Sequence, residues 1–184
     1  MSTALVVVDV QRDFCEGGAL AVSGGAAVAE AVAELLAGDH GYSCVVATRD
    51  HHIDPGSHFS DEPDFVDSWP PHCVVGTPGV VLHEALAGTS FDAVFDKGEY
   101  QAAYSGFEGR DAEGRALADF LRGRGVDAVQ VCGIATDHCV RATALDAATA
   151  GFHTTVLLDL TAAVAPERLD ATLDQLRSGG VSLR

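Results

Sequence analysis

Ala4-Leu5-Val6-Val7-Val8-Asp9-Val10 is a continuous, mostly β-branched apolar run broken by one carboxylate. A strand wetted on one face alternates apolar and polar residues. An unbroken apolar run instead reads as a strand buried on both faces, the habit of a parallel sheet covered by helices on either side. Further runs of this kind follow at 43–48, 91–95, 127–132 and 154–158, with a short one at 181–183. Helical patterns lie between them. After Gly24-Gly25, Val28, Val32, Leu35 and Leu36 share a face, with Ala31 between. Ala116, Leu117, Phe120 and Leu121 form a second stripe, stopped by Gly123 and Gly125. Thr136 or Asp137 suits the N-cap of a third helix ending near Gly151. Pro166 suits the first turn of a fourth, which carries Leu169, Leu173 and Leu176. The alternation predicts an α/β fold: one three-layer α/β/α sandwich around a mainly parallel sheet of about six strands with right-handed crossovers. No linker, repeat or low-complexity segment divides the chain, so residues 1–184 are expected to form one domain.

Composition narrows the function. The chain carries a formal charge of −16, with 47% hydrophobic and 21% charged residues. That balance suits a globular protein and argues against nucleic acid or an anionic membrane as partner. Met1-Ser2-Thr3 leads into an apolar run too short for a signal core. The five cysteines show no framework spacing, and free thiols in a reducing, cytoplasmic setting are expected.

One segment breaks the rhythm. Residues 51–78 hold five of the six prolines and no clear period. With Asp50 in front, the stretch reads Asp50-His51-His52-Ile53-Asp54-Pro55-Gly56-Ser57-His58, then Trp69-Pro70-Pro71-His72. Half of the eight histidines lie here. Neutral imidazoles beside a carboxylate are the usual ligands of Zn, Fe or Mn, so the loop at about 50–78 is a candidate metal site. A long irregular loop in a compact domain is more often functional than idle.

A second chemical group sits at the ends of the apolar runs. Gly133-Ile134-Ala135-Thr136-Asp137-His138-Cys139 follows the fourth strand and opens a helix. The positive end of the helix dipole is expected to lower the pKa of Cys139, and the unpartnered N–H groups of that turn can face a developing oxyanion. Taken alone, Cys139 fits better as a small, inert buried residue than as a nucleophile. Asp9 stands at the C-terminal edge of the sheet, where ligands of open α/β folds bind. There it can trade a proton with a thiol. Lys97, the single lysine of the chain, ends the third strand. An ammonium beside both would favour their charged forms.

Together these residues resemble the nicotinamidase (pyrazinamidase) branch of the isochorismatase-like hydrolases over nearly the whole chain. The resemblance rests on Val8-Asp9-Val10-Gln11, Asp13-Phe14-Cys15-Glu16-Gly17-Gly18, Asp50, His52, Asp54-Pro55-Gly56 and His58-Phe59. It continues through Trp69-Pro70-Pro71-His72-Cys73, Lys97-Gly98, Tyr104-Ser105-Gly106-Phe107 and Gly133 to Cys139. It implies a catalytic triad of Asp9, Lys97 and Cys139 and oxyanion donors at Ala135 and Cys139. It implies a divalent Fe, Mn or Zn ion on Asp50, His52, His58 and His72, with no organic cofactor. It further implies a substrate pocket of Phe14, Trp69, Tyr104, Ile134, Ala135 and His138, and a cis peptide between Ile134 and Ala135. His51 falls at a position the family does not use as a ligand and is expected at the surface. Arg12 departs from the family pattern, which favours a small polar residue there.

The implied chemistry is hydrolysis of nicotinamide to nicotinate and ammonia through a Cys139 thioester. The expected partner is a small molecule, and the expected state a monomer or small homo-oligomer. Two alternatives stay open at this point. A sister amidase acting on N-carbamoyl compounds would share the Asp-Lys-Cys set but not the histidines. A metal-binding domain with a dead active site would show no preferentially reactive cysteine.

Overall fold

Successive residues of the first strand enter two different cores, which is what makes this run apolar throughout. A computed structural model describes residues 1–184. β1 (Thr3–Val8) sends Ala4, Val6 and Val8 into one core and Leu5 and Val7 into the other, and all five are wholly buried. The remaining strands are β2 (Cys44–Asp50), β3 (Ala93–Lys97), β4 (Ala128–Ile134), β5 (His153–Ala162) and β6 (Ser182–Leu183). They form one fully parallel sheet in the order β3-β2-β1-β4-β5-β6. Helix α1 (Gly25–Ala37) packs Val28, Ala29 and Val32 on one face. Helices α2 (Leu117–Gly123), α3 (Arg141–Thr149) and α4 (Leu169–Ser178) cover the other with Leu117, Leu121, Ala144, Ala147 and Leu176. The predicted three-layer α/β/α arrangement and six parallel strands are therefore present, and no helix is long and apolar enough to cross a membrane.

Several boundaries differ from the sequence reading, each for a local reason. β1 stops at Val8 because Asp9 takes a left-handed backbone conformation, φ 49°. β3 covers Ala93–Lys97 rather than 91–95, so Lys97 lies inside the sheet and registers with Asp50. The third helix has Ala135 as its N-cap, with no side-chain cap, and opens as a π-helical turn over Thr136–Val140. The Asp137 carboxylate is directed elsewhere, accepting from the backbone N–H groups of Val164 and Ala165, each at 2.9 Å. Pro166 does open a 3-10 turn, Pro166–Arg168, that runs into α4. Glycine is required at Gly133, φ 116°, where a Cβ would overlap the backbone of Val8 on the neighbouring strand.

The segment after β2 is irregular without being unstructured. Short parallel bridges pair His52 with Val74 and Phe59 with Trp69, and a 3-10 turn at Gly56–His58 lies between. Backbone bonds from Trp69 to His58 (2.8 Å) and from Val75 to His52 (2.9 Å) fold the loop onto the sheet edge.

Candidate active site and metal centre

Parallel strands end at the same edge, and four neighbouring strands bring the chemistry there. Lys97 closes β3, Asp50 closes β2, Asp9 follows β1, and Ile134 closes β4. Lys97 is buried, and its Nζ lies 2.8 Å from Asp9 Oδ2, 2.5 Å from Asp50 Oδ1 and 3.7 Å from Cys139 Sγ. It also donates to the Ala103 carbonyl at 3.2 Å. Asp9 accepts from the Thr48 hydroxyl at 2.6 Å. Asp9, Asp50 and Cys139 bring ligand-type atoms within 4.8 Å of one another, but the cation between them is the lysine itself.

Burial sets the protonation states. It raises the Asp9 carboxyl above its usual range, with Lys97 opposing and Asp50 adding to the rise. It also pushes the Cys139 thiol well above its ordinary value, an effect that Lys97 only partly offsets and that Asp9 and Asp50 reinforce. The dipole-lowered thiolate expected from sequence is thus outweighed by desolvation. The resting site holds a thiol beside a base of raised affinity for protons. Burial would lower the Lys97 ammonium, yet the carboxylates of Asp50 and Asp9 outweigh it and hold Lys97 charged, well above the usual lysine value.

Asp50 couples this group to the histidines. Its Oδ2 lies 3.6 Å from His52 Nε2 and 3.7 Å from His72 Nε2. Lys97 and these imidazoles outweigh burial and hold its carboxyl well below the usual range. His52, His58 and His72 are buried, with potential ligand atoms all within 4.8 Å of one another. The His52 Nδ1 pairs with the Gly98 carbonyl oxygen at 2.6 Å and the His72 Nδ1 with that of Pro70 at 2.8 Å. Such outer contacts fix a ring with its other nitrogen presented inward. His52 Nε2 and His58 Nδ1 are buried with no hydrogen-bond partner, and burial with the neighbouring rings lowers the His58 pKa to about 4. Buried imidazoles, two of them with an orphaned nitrogen, beside an ionised carboxylate fit a divalent metal ion.

Gly98 supports this arrangement closely. At φ 78°, a Cβ there would stand 2.7 Å from His52 Cε1. Gly98→Ala is expected to displace His52 and weaken metal binding by about 10–100-fold, measured by competition with a chelator. Unchanged affinity would detach Gly98 from the site.

A cavity of about 430 Å³, its mouth included, opens beside Cys139 and the histidines. Phe14, Trp69, Tyr104, Ile134, Ala135 and His138 all line it. Trp69 donates its indole N–H to the Tyr104 hydroxyl at 3.1 Å, and its ring meets His138 edge-on at 5.2 Å. The Ile134–Ala135 peptide is cis, and the Ala135 N–H donates to no acceptor in the chain. Two flagged positions lie outside. His51 pairs its Nδ1 with Glu99 at 3.2 Å, and Arg12 reaches Glu84 at 3.4 Å with both side chains largely exposed.

Sequence reasoning missed Leu20, Val22, Ala103 and Val164, which also line the cavity. They come from loops with no period, and only folding shows where they point. It also missed the role of Gln11. Gln11 is wholly buried, donates to the carbonyls of Asp50 (2.8 Å) and Val80 (2.9 Å), and accepts from the Asp50 N–H (2.8 Å). The signal was present: Gln11 is a second polar residue two positions after Asp9 in an apolar context.

Comparison with known proteins agrees with this geometry. A nicotinamidase/pyrazinamidase of Mycobacterium tuberculosis is 57% identical over 98% of this chain and 97% of its own length. The crystal structure of the pyrazinamidase of Pyrococcus horikoshii, a complex with zinc, superposes with a TM-score of 0.84 at 38% identity. That match covers 100% of this chain and 99% of the other. PnC1 from L. infantum, solved in complex with nicotinate, gives 0.87 at 36% identity, covering 100% and 92%. The isochorismatase-domain model matches residues 3–183. Acid, amine and thiol converge at one sheet edge in a chain matched almost from end to end, and this protein belongs to the isochorismatase-domain family.

Proposed function

We propose that this protein is a nicotinamidase, hydrolysing nicotinamide to nicotinate and ammonia, and that it hydrolyses pyrazinamide in the same pocket. One observation carries the reading: Asp50 joins the Asp9–Lys97–Cys139 group to the histidine cluster beside a ring-sized aromatic cavity. In this reading Phe14 and Trp69 flank the aromatic ring, and Tyr104, Ile134 and His138 complete the walls. Asp9 takes the Cys139 proton as the sulfur attacks the carboxamide carbon. The N–H groups of Ala135 and Cys139 receive the oxyanion. Asp9 then gives its proton to the departing ammonia, and in the second half-reaction it draws a proton from the water that opens the thioester. Lys97 stays charged throughout and holds Asp9 beside the sulfur. Asp50, His52, His58 and His72 would hold a divalent Fe, Mn or Zn ion, which supplies a Lewis-acidic anchor for the ring nitrogen. The same reading treats residues 1–184 as one hydrolase domain with its metal loop at about 50–78. It places a monomer or small homo-oligomer in the cytoplasm, acting on a small molecule without nucleic acid, membrane or organic cofactor.

The test is ammonia release from nicotinamide by purified protein, before and after chelation and metal add-back. Release that falls on chelation and returns with Fe, Mn or Zn is expected, and His52→Ala should lower metal content and raise KM. Full activity and full metal content in His52→Ala would remove the histidines from the site. Release from an N-carbamoyl amide but not from nicotinamide would move the chain to the sister amidases.

A further inference from the structure

A second groove, of about 850 Å³, meets the catalytic cavity at a common wall: Tyr104 and His138 line both. It is also lined by Arg141, at the start of α3, and Arg168, just before α4. Arg12, Arg49, Arg115, Arg124 and Arg177 each sit against a carboxylate. Arg110, Arg122, Arg141, Arg168 and Arg184 do not, and of these only Arg141 and Arg168 line this groove; Arg141 donates to the Gln175 side-chain oxygen at 3.2 Å. In a chain of charge −16, two guanidinium groups without a carboxylate partner beside an active site are unusual cargo. Their planar forks match a carboxylate. The groove holds two acidic residues. The Asp137 oxygens accept from the Val164 and Ala165 N–H groups, which with His138 hold its carboxyl ionised against burial, so Asp137 and Asp67 are two opposing charges against the two guanidinium groups. Phe65, 54% exposed, supplies an apolar rim.

We propose that this groove is an anion-recognising vestibule, which extends the substrate range to pyridine and pyrazine carboxamides bearing a carboxylate on a ring carbon that faces the mouth. The inference rests on the nicotinamidase reading. The reaction is the same hydrolysis: the amide C–N bond breaks, water supplies the new acyl oxygen and the one further proton with which the NH2 group leaves as ammonia, and a dicarboxylate is released. Arg141 and Arg168 hold the ring-borne carboxylate while the carboxamide lies at Cys139, and Asp67 and Asp137 oppose it.

The probe is 5-carbamoylpyridine-3-carboxylate, compared with its methyl ester and with nicotinamide, using metal-loaded protein and kcat/KM from ammonia release. Replacing both arginines, Arg141→Gln with Arg168→Gln, should cost the carboxylate probe about tenfold or more and leave the other two substrates within about twofold. Asp67→Asn should act oppositely, raising the carboxylate probe alone by about two- to threefold. Added salt should erode the wild-type preference for the carboxylate over its ester. Equal losses on all three substrates, or no change on the carboxylate, would overturn the proposal. So would a wild-type protein that hydrolyses nicotinamide but not the carboxylate probe. If nicotinamide itself is not hydrolysed, the proposal falls with the reading beneath it.

Discussion

Cys139→Ala is expected to lower nicotinamide turnover by about 10⁴-fold or more while leaving fold and metal content in place. The side chain is small, and alanine fills most of its space without stranding a polar group. The bound metal should be retained because Cys139 lies outside the histidine set, with Lys97 between it and Asp50. A purely structural role would give the opposite pattern, with lost stability and preserved activity. Alkylation supplies an independent readout. Cys139 lines the cavity and is 7% exposed, whereas Cys15, Cys44, Cys73 and Cys132 are at 0–1%. Burial raises all five thiols, Cys139 included, so access from the cavity, with Asp9 at hand to take the proton, is what singles Cys139 out. Iodoacetamide should therefore label Cys139 first, and nicotinamide should slow that labelling alone. Uniform labelling of the five thiols, or an alanine variant that still turns over nicotinamide, would exclude Cys139 as the nucleophile.

The alternation of apolar runs and helical stripes was legible because period depends only on local order, and the two cores on either side of β1 follow from it. The histidines were legible as candidate metal ligands by residue type, and the fold gathers three of them. What the sequence concealed was long-range register. Nothing local says that Lys97 pairs in the sheet with Asp50, because the third strand can slide two residues and keep its apolar character; the pairing with β2 settles it. Asp50 therefore read as a ligand only, whereas one of its oxygens meets Lys97 and the other faces His52 and His72. The π-helical turn before α3 was equally hidden, since Thr136 and Asp137 look like ordinary caps until Asp137 is seen bonded to the 164–165 backbone. Desolvation also reversed the expected direction for Cys139, because burial is a property of the whole fold and not of one helix terminus.

Lys97→Met is expected to be the most damaging single change to stability, and to abolish activity as well. The ammonium is the only cation contacting Asp9, and it holds Asp50 on the other side. Removing it leaves two buried carboxylates close together, a loss of about 3–5 kcal/mol from breaking a buried ion pair. For a chain of this size that corresponds to a fall in Tm of about 6–20 °C. The pH dependence identifies the cause. Without the lysine, the Asp9 pKa, already raised by burial, rises further above its unfolded value. The folded variant then binds more protons than the unfolded chain, so its stability falls as pH increases. Measured in chelator, the deficit against wild type should therefore shrink as pH is lowered from about 8 to about 5. Asp9→Asn in the Lys97→Met background should restore part of the lost stability at neutral pH by removing one stranded charge, with no return of activity. A deficit that is independent of pH, or a double variant less stable than Lys97→Met alone, would mean that packing around the lysine stem, and not the charge it places between Asp9 and Asp50, holds this edge of the sheet together.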